Sequence, residues 1–297
     1  MFRRDSTLLA DLLAQDLLTK LKISNLPVDP FTIAARHKII CEHNPKLSPG
    51  LSGCLIKTGD TFGILYSSRY PSEGFKRFTA AHELGHYFSP GHMDALFGNG
   101  QLIHHSSAGF ISKDKYEREA DAFAAGLLMP RNLFVDAQSR SGQGLAAIES
   151  LSSICMTSLT ATAIRFARLS DELVAVVCST GNEVDFAVMS KPLQDLPGIS
   201  WISKNSRLTP GTATYNFNKD TANVHNGRRL KASTTLGAWF EGGNHLELNE
   251  EIVGLGEYGR TLTVLWNDSS GTPSEAEEPD EEEEENILPS QRWRERG

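Results

Sequence analysis

The stretch FTAAHELGHYF at residues 78–88 contains the pattern H-E-x-x-H, which constrains this chain more than any other feature of its sequence. On a helix, residues four apart lie on one face, so His82 and His86 project to the same side. Two imidazoles one turn apart can bind one metal ion, and their spacing suits zinc. Glu83 follows the first histidine and can act as a general base towards a water in the open coordination position. The pattern therefore predicts a catalytic zinc site on a helix.

Small residues around the motif indicate that this helix packs closely against another segment. Ala80 and Ala81 precede the first histidine, and Gly85 precedes the second. A helical glycine costs about 1 kcal/mol relative to alanine, so a packing reason for Gly85 is expected. An ordinary core helix with two surface histidines is the less favoured interpretation.

A second helix supplies a candidate for the remaining ligand. The segment 115–129 is strongly helical in composition and ends at Pro130. Catalytic zinc takes three protein ligands and leaves the fourth position to water. Ala120 and Ala124 make one face of the helix thin, so this face can approach the first helix and bring Glu117 to the metal. Glu117 is therefore the predicted third ligand.

The roles of two further acids on the second helix follow from their positions around the helix relative to Glu117. Asp121 lies one turn after Glu117, where it can accept the second ring N–H of a metal-bound histidine. Glu119 points elsewhere by about 160–200° around the helix, so it is the poorer ligand. The alternative for all three acids is a solvated helix face, and the upstream H-E-x-x-H favours metal binding.

Residues 91–114 lack clear periodicity and contain His92, His104 and His105. These histidines are candidates for reaching the metal. Together with Tyr116, they are also candidates for the donor that stabilises a tetrahedral intermediate. Histidines in polar loops are more often solvated, and the sequence does not choose among the four residues.

The motif segments resemble the ImmA/IrrE family of zinc metallopeptidases. The resemblance rests on RFTAAHELGHY at residues 77–87 and EREADAFAAGLLMP at residues 117–130, and it extends over about residues 25–170. It implies a gluzincin-like site with one zinc ion per chain, bound by His82, His86 and Glu117, with Glu83 as the base.

The resemblance also implies a protein substrate. Relatives cleave helix-turn-helix repressors, so the expected activity is a limited cut in a cytosolic transcriptional repressor. The cut would derepress stress or mobile-element genes. The alternative is a non-catalytic regulatory partner, similar to an antitoxin or anti-repressor, with a vestigial or structural zinc site. The sequence does not indicate an oligomeric state.

Charge is unevenly distributed along the 297 residues. The net charge is −8, and residues 271–297 contribute ten acids and three arginines, so the remaining chain is nearly neutral. That balance indicates neither direct nucleic-acid binding nor a membrane surface. Nine acids between Glu275 and Glu285 predict a disordered tail. Its terminal segment fits a docking peptide and a frayed end equally well.

Cysteine usage and the N-terminal sequence favour a cytoplasmic enzyme. Cys41, Cys54, Cys155 and Cys178 form no C-x-x-C pair, which favours reduced core thiols over structural zinc. The basic N-terminus is followed by a stretch that acidic and polar residues interrupt, so we expect neither a signal peptide nor a transmembrane span.

Periodicity predicts elements on both sides of the motif helices. Six leucines form one apolar stripe on a helix at residues 6–22, and residues 50–67 are typical of a β-hairpin. An edge of this small sheet could bind an extended substrate by main-chain hydrogen bonds. Residues 131–170 predict helices, and Arg165 and Arg168 are too few to indicate a DNA-reading helix.

The predicted fold class is α+β. It comprises a zincin-like, gluzincin-type helical metallopeptidase domain with a small β-sheet at residues 1–170 and a β-rich accessory domain at residues 171–268. The acidic tail occupies residues 269–297. Short apolar runs separated by turn residues indicate the accessory domain. The strands expected in it lie at residues 173–178, 184–189, 199–202, 238–240 and 262–266.

Overall fold

The computed structural model describes residues 6–48, 50–67, 72–107 and 114–267. The predicted acidic tail and docking segment at 269–297 lie outside the described residues. Up to Asn267 the chain packs as one unit of mixed helices and sheets, so the α+β prediction is confirmed.

Eight helices and a four-stranded sheet make up the first 170 residues as far as the structure describes them. The sheet has the order β1-β3-β2-β4, with β1 parallel to β3 and the other pairs antiparallel. β2 and β3 form the predicted hairpin. The helices are α1 (Ser6–Lys20), α2 (Pro30–Arg36), α3 (Glu73–Phe88), α4 (His92–Phe97), α5 (Lys115–Leu128), α6 (Arg131–Gln138), α7 (Gly144–Cys155) and α8 (Leu159–Leu169); the strands are β1 (Ile40–Asn44), β2 (Leu51–Thr58), β3 (Thr61–Ser67) and β4 (Ile103–Ser107).

The two motif helices, α3 and α5, touch backbone to backbone. A Cβ atom added to Gly85 would lie 2.9 Å from the Cα atom and 3.0 Å from the carbonyl oxygen of Ala120. Gly53 allows β2 to approach α3 equally closely, because a Cβ there would lie 2.5 Å from Cγ2 of Thr79. Glycine at these two positions thus allows α3 to lie directly against both α5 and β2.

The packing of α1 differs from the predicted leucine stripe. Its buried residues are Ala10, Ala14, Leu17 and Leu18, whereas Leu8, Leu9 and Leu12 are about half exposed. The reason is the close approach of α1 to α5: a Cβ on Gly126 would lie 2.8 Å from the carbonyl oxygen of Asp11. Only small residues such as Ala10 and Ala14 fit at that distance, so Leu8, Leu9 and Leu12 lie on the outer side of the helix.

A second sheet, here called the C-terminal sheet, follows α8 and has the order β6-β5-β9-β8-β7 with every pair antiparallel. Valines and a leucine of β5, β8 and β9 belong to the same apolar core as the helices. The domain boundary at residue 170 therefore stays a prediction. The elements are β5 (Val174–Thr180), β6 (Glu183–Met189), α9 (Lys191–Gln194), α10 (Ala213–Phe217), α11 (Thr221–His225), β7 (Arg229–Thr235), α12 (Leu236–Trp239), β8 (Glu247–Gly254) and β9 (Thr261–Trp266).

Two of the five strand predictions for this part of the chain are wrong. Residues 199–202 have irregular backbone, and their isoleucines are apolar because they pack against the core of the sheet. Residues 238–240 end the short helix α12, which a hydrogen bond from the Phe240 N–H to the Leu236 carbonyl closes. Sequence patterns missed β7, whose side chains are mostly exposed, and β8, which contains the buried acids Glu250 and Glu251.

α8 lies inside the protein. The guanidinium of Arg165 is 2.9 Å from Oδ1 of Asp11, and its Nε–H donates to the Met129 carbonyl over 2.9 Å. Arg165 therefore ties α8 to α1 and to the end of α5. No single helix of the described residues is long and apolar enough to cross a membrane; α7 and α8 pass that test only as a pair, bent by 113°.

The four cysteines are free thiols. Burial raises the pKa of Cys155 and of Cys178 to about 12. Burial, and then the charge of Glu83, raises the pKa of Cys54 to about 11. These three buried thiols therefore stay protonated near neutral pH.

The contact at Gly85 predicts the effect of a single added methyl group. We expect Gly85→Ala to lower the free energy of unfolding by about 1–2 kcal/mol, because overpacking against the backbone of α5 outweighs the gain in helix propensity. Urea unfolding measures the change. Gly63→Ala is the control, since its Cβ would lie 3.6 Å from its closest neighbour, the Ile40 carbonyl oxygen. Equal losses in the two variants would contradict the close contact.

Candidate metal centre

His82, His86 and Glu117 converge on one point between α3 and α5. One ligand atom from each lies within 4.8 Å of the others, the one such trio found in the part of the chain that the structure describes. The two Nε2 atoms are 3.1 Å apart, and they lie 3.3 Å and 3.4 Å from the carboxylate oxygens of Glu117. Two imidazole nitrogens and a carboxylate oxygen form a donor set that zinc prefers.

Local capping places each of these ligands. Ser72 begins α3 by accepting the N–H of Phe75, and the helix then presents His82 and His86 on one face. Asp114 begins α5 by accepting the N–H groups of Tyr116 and Glu117 at 2.7 Å and 3.3 Å. Glu117 thus lies in the first turn of α5, where a helix N-terminus favours negative charge.

The electrostatics of the trio favour a cation at its centre. For His82, burial lowers the pKa, but hydrogen bonds with Asp121 and Glu117 outweigh it and raise the pKa to about 10. Burial, with the nearby charge of His82, lowers the pKa of His86 to about 4. A metal cation bound between the two facing Nε2 atoms would interact with both lone pairs. The residues present fit a zinc ion.

Glu117 is held ionised at this point. Burial alone would raise its pKa, but the contacts with His104, His82 and His86 outweigh burial and hold the pKa of Glu117 well below its usual value. The carboxylate therefore stays negatively charged near neutral pH.

Asp121, the predicted partner of a metal-bound histidine, lies beside the ring of His82. Its Oδ1 atom is 2.8 Å from Nδ1 of His82, on the side of the ring opposite the trio. A hydrogen bond from Nδ1–H to this carboxylate leaves Nε2 of His82 free to face a metal.

Glu83 is fully buried beside the trio, and neither carboxylate oxygen makes a regular hydrogen bond to a described residue, although the Ser106 hydroxyl is close enough to oppose the rise in its pKa. Burial raises its pKa to about 6, against the lowering effect of the positive charge on His82. A buried, unpaired carboxylate is costly, and each such group in a native structure calls for an explanation. A water or peptide bound during a reaction would satisfy it.

His92 and Glu119 form a contact that the sequence did not reveal. Nδ1 of His92 is 3.0 Å from Nδ1 of His86, and its Nε2 is 3.0 Å from Oε2 of Glu119. Glu119 does point away from the trio, but into the interior, where it is 8% exposed. Helical spacing gives the direction of Glu119, but it cannot show that a histidine from another segment meets it.

The structure distinguishes among the other candidate donors by their positions. His104 lies on β4, with Nε2 3.0 Å from Oε1 of Glu117 and its ring centre 4.7 Å from that of His86. His105, the next residue, is exposed. The ring of Tyr116 packs edge-on against His92, 5.0 Å away between centres. Among these residues, His104 is the one that faces Glu117.

A peptidase family model, described as the IrrE N-terminal-like domain, matches residues 55–153. That stretch of the chain is therefore similar to the IrrE N-terminal-like domain. The predicted resemblance to the ImmA/IrrE family is thereby confirmed, and a peptidase family in general is indicated. The IrrE-like segment runs from within β2 to within α7, and it includes the trio, Glu83 and Asp121.

The remaining comparisons concern curated proteins and known structures. Curated proteins give no significant match. A Mycobacterium tuberculosis transcriptional regulator of known structure is similar in fold, with a TM-score of 0.53 and 14% sequence identity over 87% of this chain and 75% of that chain. At this identity the likeness shows the fold alone.

Proposed function

We propose that this protein is a zinc-dependent endopeptidase with a zincin-like, gluzincin-type site. The convergence of His82, His86 and Glu117 beside the unpaired carboxylate of Glu83 is the observation that carries the proposal. The match to a peptidase family supports it. The four side chains come from two helices that a glycine holds in backbone contact, which gives the site a rigid frame.

One zinc ion per chain is the proposed cofactor, bound by the trio. When bound, zinc would polarise the scissile carbonyl group and lower the pKa of an attacking water. Asp121 orients His82 by accepting its Nδ1–H.

Glu83 is the proposed general base. Its carboxylate accepts a proton from the attacking water and then passes the proton to the nitrogen of the leaving amine. A pKa raised to about 6 by burial suits this role, because the group can both accept and release a proton near neutral pH.

His104 and the strand that carries it complete the proposed site. β4 pairs with β2 and ends the order β1-β3-β2-β4, so among the described strands its outer side has no partner. We propose that the substrate peptide lies along this edge by main-chain hydrogen bonds. The Nε2–H of His104 then leaves its contact with Glu117 and donates to the oxygen that becomes negative in the transition state.

A helix-turn-helix transcriptional repressor in the cytoplasm is the proposed substrate, because relatives of the ImmA/IrrE family cut such proteins. The C-terminal sheet is proposed as an accessory region that senses a signal or contacts the substrate. The alternative, a non-catalytic regulatory partner with a structural metal, does not account for Glu83, since such a site needs no base.

Metal binding provides the first test. We expect one zinc ion per chain by elemental analysis, and Glu117→Ala to weaken zinc binding more than about 100-fold, because the loss of a ligand exceeds the 10–100-fold typical of supporting residues. Glu73→Ala is the control, since Glu73 is an exposed acid of α3. Equal zinc affinity in the two variants would contradict the choice of Glu117.

Cleavage provides the second test. A candidate repressor is incubated with the protein, with and without a chelator, and the fragments are identified by mass spectrometry. We expect Glu83→Gln to keep its zinc and to cut at least about 100-fold more slowly, since it removes the general base. Full cleavage by this variant would rule out Glu83 as the base. Binding without a cut by the native protein would favour the regulatory partner.

The third test separates His104 from the metal ligands. We expect His104→Ala to lower kcat by about 100-fold, in line with the loss of one transition-state donor. Zinc affinity should fall less than in Glu117→Ala, because His104 contacts the candidate ligand Glu117 and is not itself a ligand. His43→Ala is the matched control, because His43 is exposed on β1, the opposite edge of the same sheet. A fall in zinc affinity equal to that of Glu117→Ala would instead make His104 a ligand.

A further inference from the structure

Behind His86 lies a buried chain of two hydrogen bonds that ends in a carboxylate. His86 and His92 are fully buried, and Glu119 is 8% exposed. The contacts run from Nδ1 of His86 to Nδ1 of His92 over 3.0 Å, and from Nε2 of His92 to Oε2 of Glu119 over 3.0 Å. The three residues come from α3, α4 and α5, so the chain depends on the packing of all three helices.

The positions of the hydrogens follow from the acceptor at the end. An ionised carboxylate only accepts, so Nε2 of His92 carries a hydrogen and donates it to Glu119. One of the two facing Nδ1 atoms must accept, and because the hydrogen of His92 is on Nε2, its Nδ1 accepts from Nδ1–H of His86. The lone pair of His86 is therefore on Nε2, the atom that faces His82 and Glu117. Each bond determines the direction of the next.

The surroundings hold this chain in place. The ring of Tyr116 packs edge-on against His92 at 5.0 Å between centres. Nζ of Lys115 is 3.6 Å from the other oxygen of Glu119 and supplies a positive charge there. Gly91, with φ of +79°, turns the chain between α3 and α4 and so brings His92 back against His86.

We propose that His92 and Glu119 are positioning residues that fix the tautomer and the orientation of His86 for metal binding. The inference rests on the proposed metal site and adds a support for its second histidine. Asp121 supports His82 directly. Glu119 lies two residues before Asp121 and about 200° from it around α5. Glu119 therefore needs the imidazole of His92 between it and His86. The ring nitrogen that binds a metal is set by the hydrogen bond that the other nitrogen makes.

The tautomer is measured first, in the metal-free full-length protein, by long-range ¹H–¹⁵N correlation spectra. We expect the hydrogen of His86 on Nδ1 in the native protein and on Nε2, the form favoured by free imidazole, in His92→Ala. The same preparations are titrated with zinc. We expect His92→Ala and Glu119→Ala to bind zinc about 10–100-fold more weakly than the native protein, as for other residues that support metal ligands.

Conservative variants separate positioning from packing. In His92→Gln, the amide oxygen can accept from His86 and the amide nitrogen can donate to Glu119, so we expect it to recover most of the lost affinity. Glu119→Gln keeps an acceptor and is expected to lose less than Glu119→Ala. Asp94→Ala is the control, since Asp94 is exposed on the same helix, α4. Its zinc affinity and melting temperature should match the native values.

Two results would overturn the inference: a hydrogen on Nε2 of His86 in the native protein, or equal zinc affinity in His92→Ala and Asp94→Ala. If His92→Ala does not fold, the inference is tested by the tautomer of His86 in the native protein and by the zinc affinities of His92→Gln and Glu119→Gln. The spectra need neither metal nor substrate. Absence of cleavage in a protein that shows the expected tautomer and zinc affinities would therefore refute the endopeptidase proposal and leave this inference standing.

Discussion

The backbone contact between α3 and α5 is the constraint on which the candidate site depends. Gly85 allows the axis of α3 to approach Ala120 so closely that a single methyl group would not fit. The three candidate ligands are divided between these helices, with two imidazoles on α3 and a carboxylate on α5. A small increase in the helix separation would take Glu117 out of reach of both rings, so the glycine serves geometry as well as packing.

Two glutamates at the centre differ because their surroundings differ. Glu117 contacts three histidines, which hold its pKa well below the usual value despite burial. Glu83 is buried without a regular hydrogen bond to a described residue, and burial raises its pKa to about 6. A separation of this kind between neighbouring acids is typical of a site where one group binds and the other transfers protons.

Buried acids elsewhere in the protein show that burial alone does not indicate function. Glu250 accepts the backbone N–H groups of Ala213 and Thr214 at the start of α10. Glu251 accepts the N–H of Leu145 at the start of α7 and pairs with Lys231. Both have partners and stabilise the C-terminal sheet and its contact with the helices. What distinguishes Glu83 is the lack of a partner at a point where a substrate would supply one.

The sequence by itself determined the two motif helices, the hairpin and the candidate ligands, because those predictions depend on spacing along a single helix or strand. His82 and His86 are one turn apart in any helix, and Asp121 follows Glu117 by one turn. Only the tertiary structure decided which residues from separate segments meet. His92 reaches His86, His104 reaches Glu117 and β4 forms the sheet edge by contacts between distant segments, which no local periodicity records. The exposed leucines of α1 and the polar strand β8 were mispredicted or missed for the same reason, since packing partners override local apolar pattern.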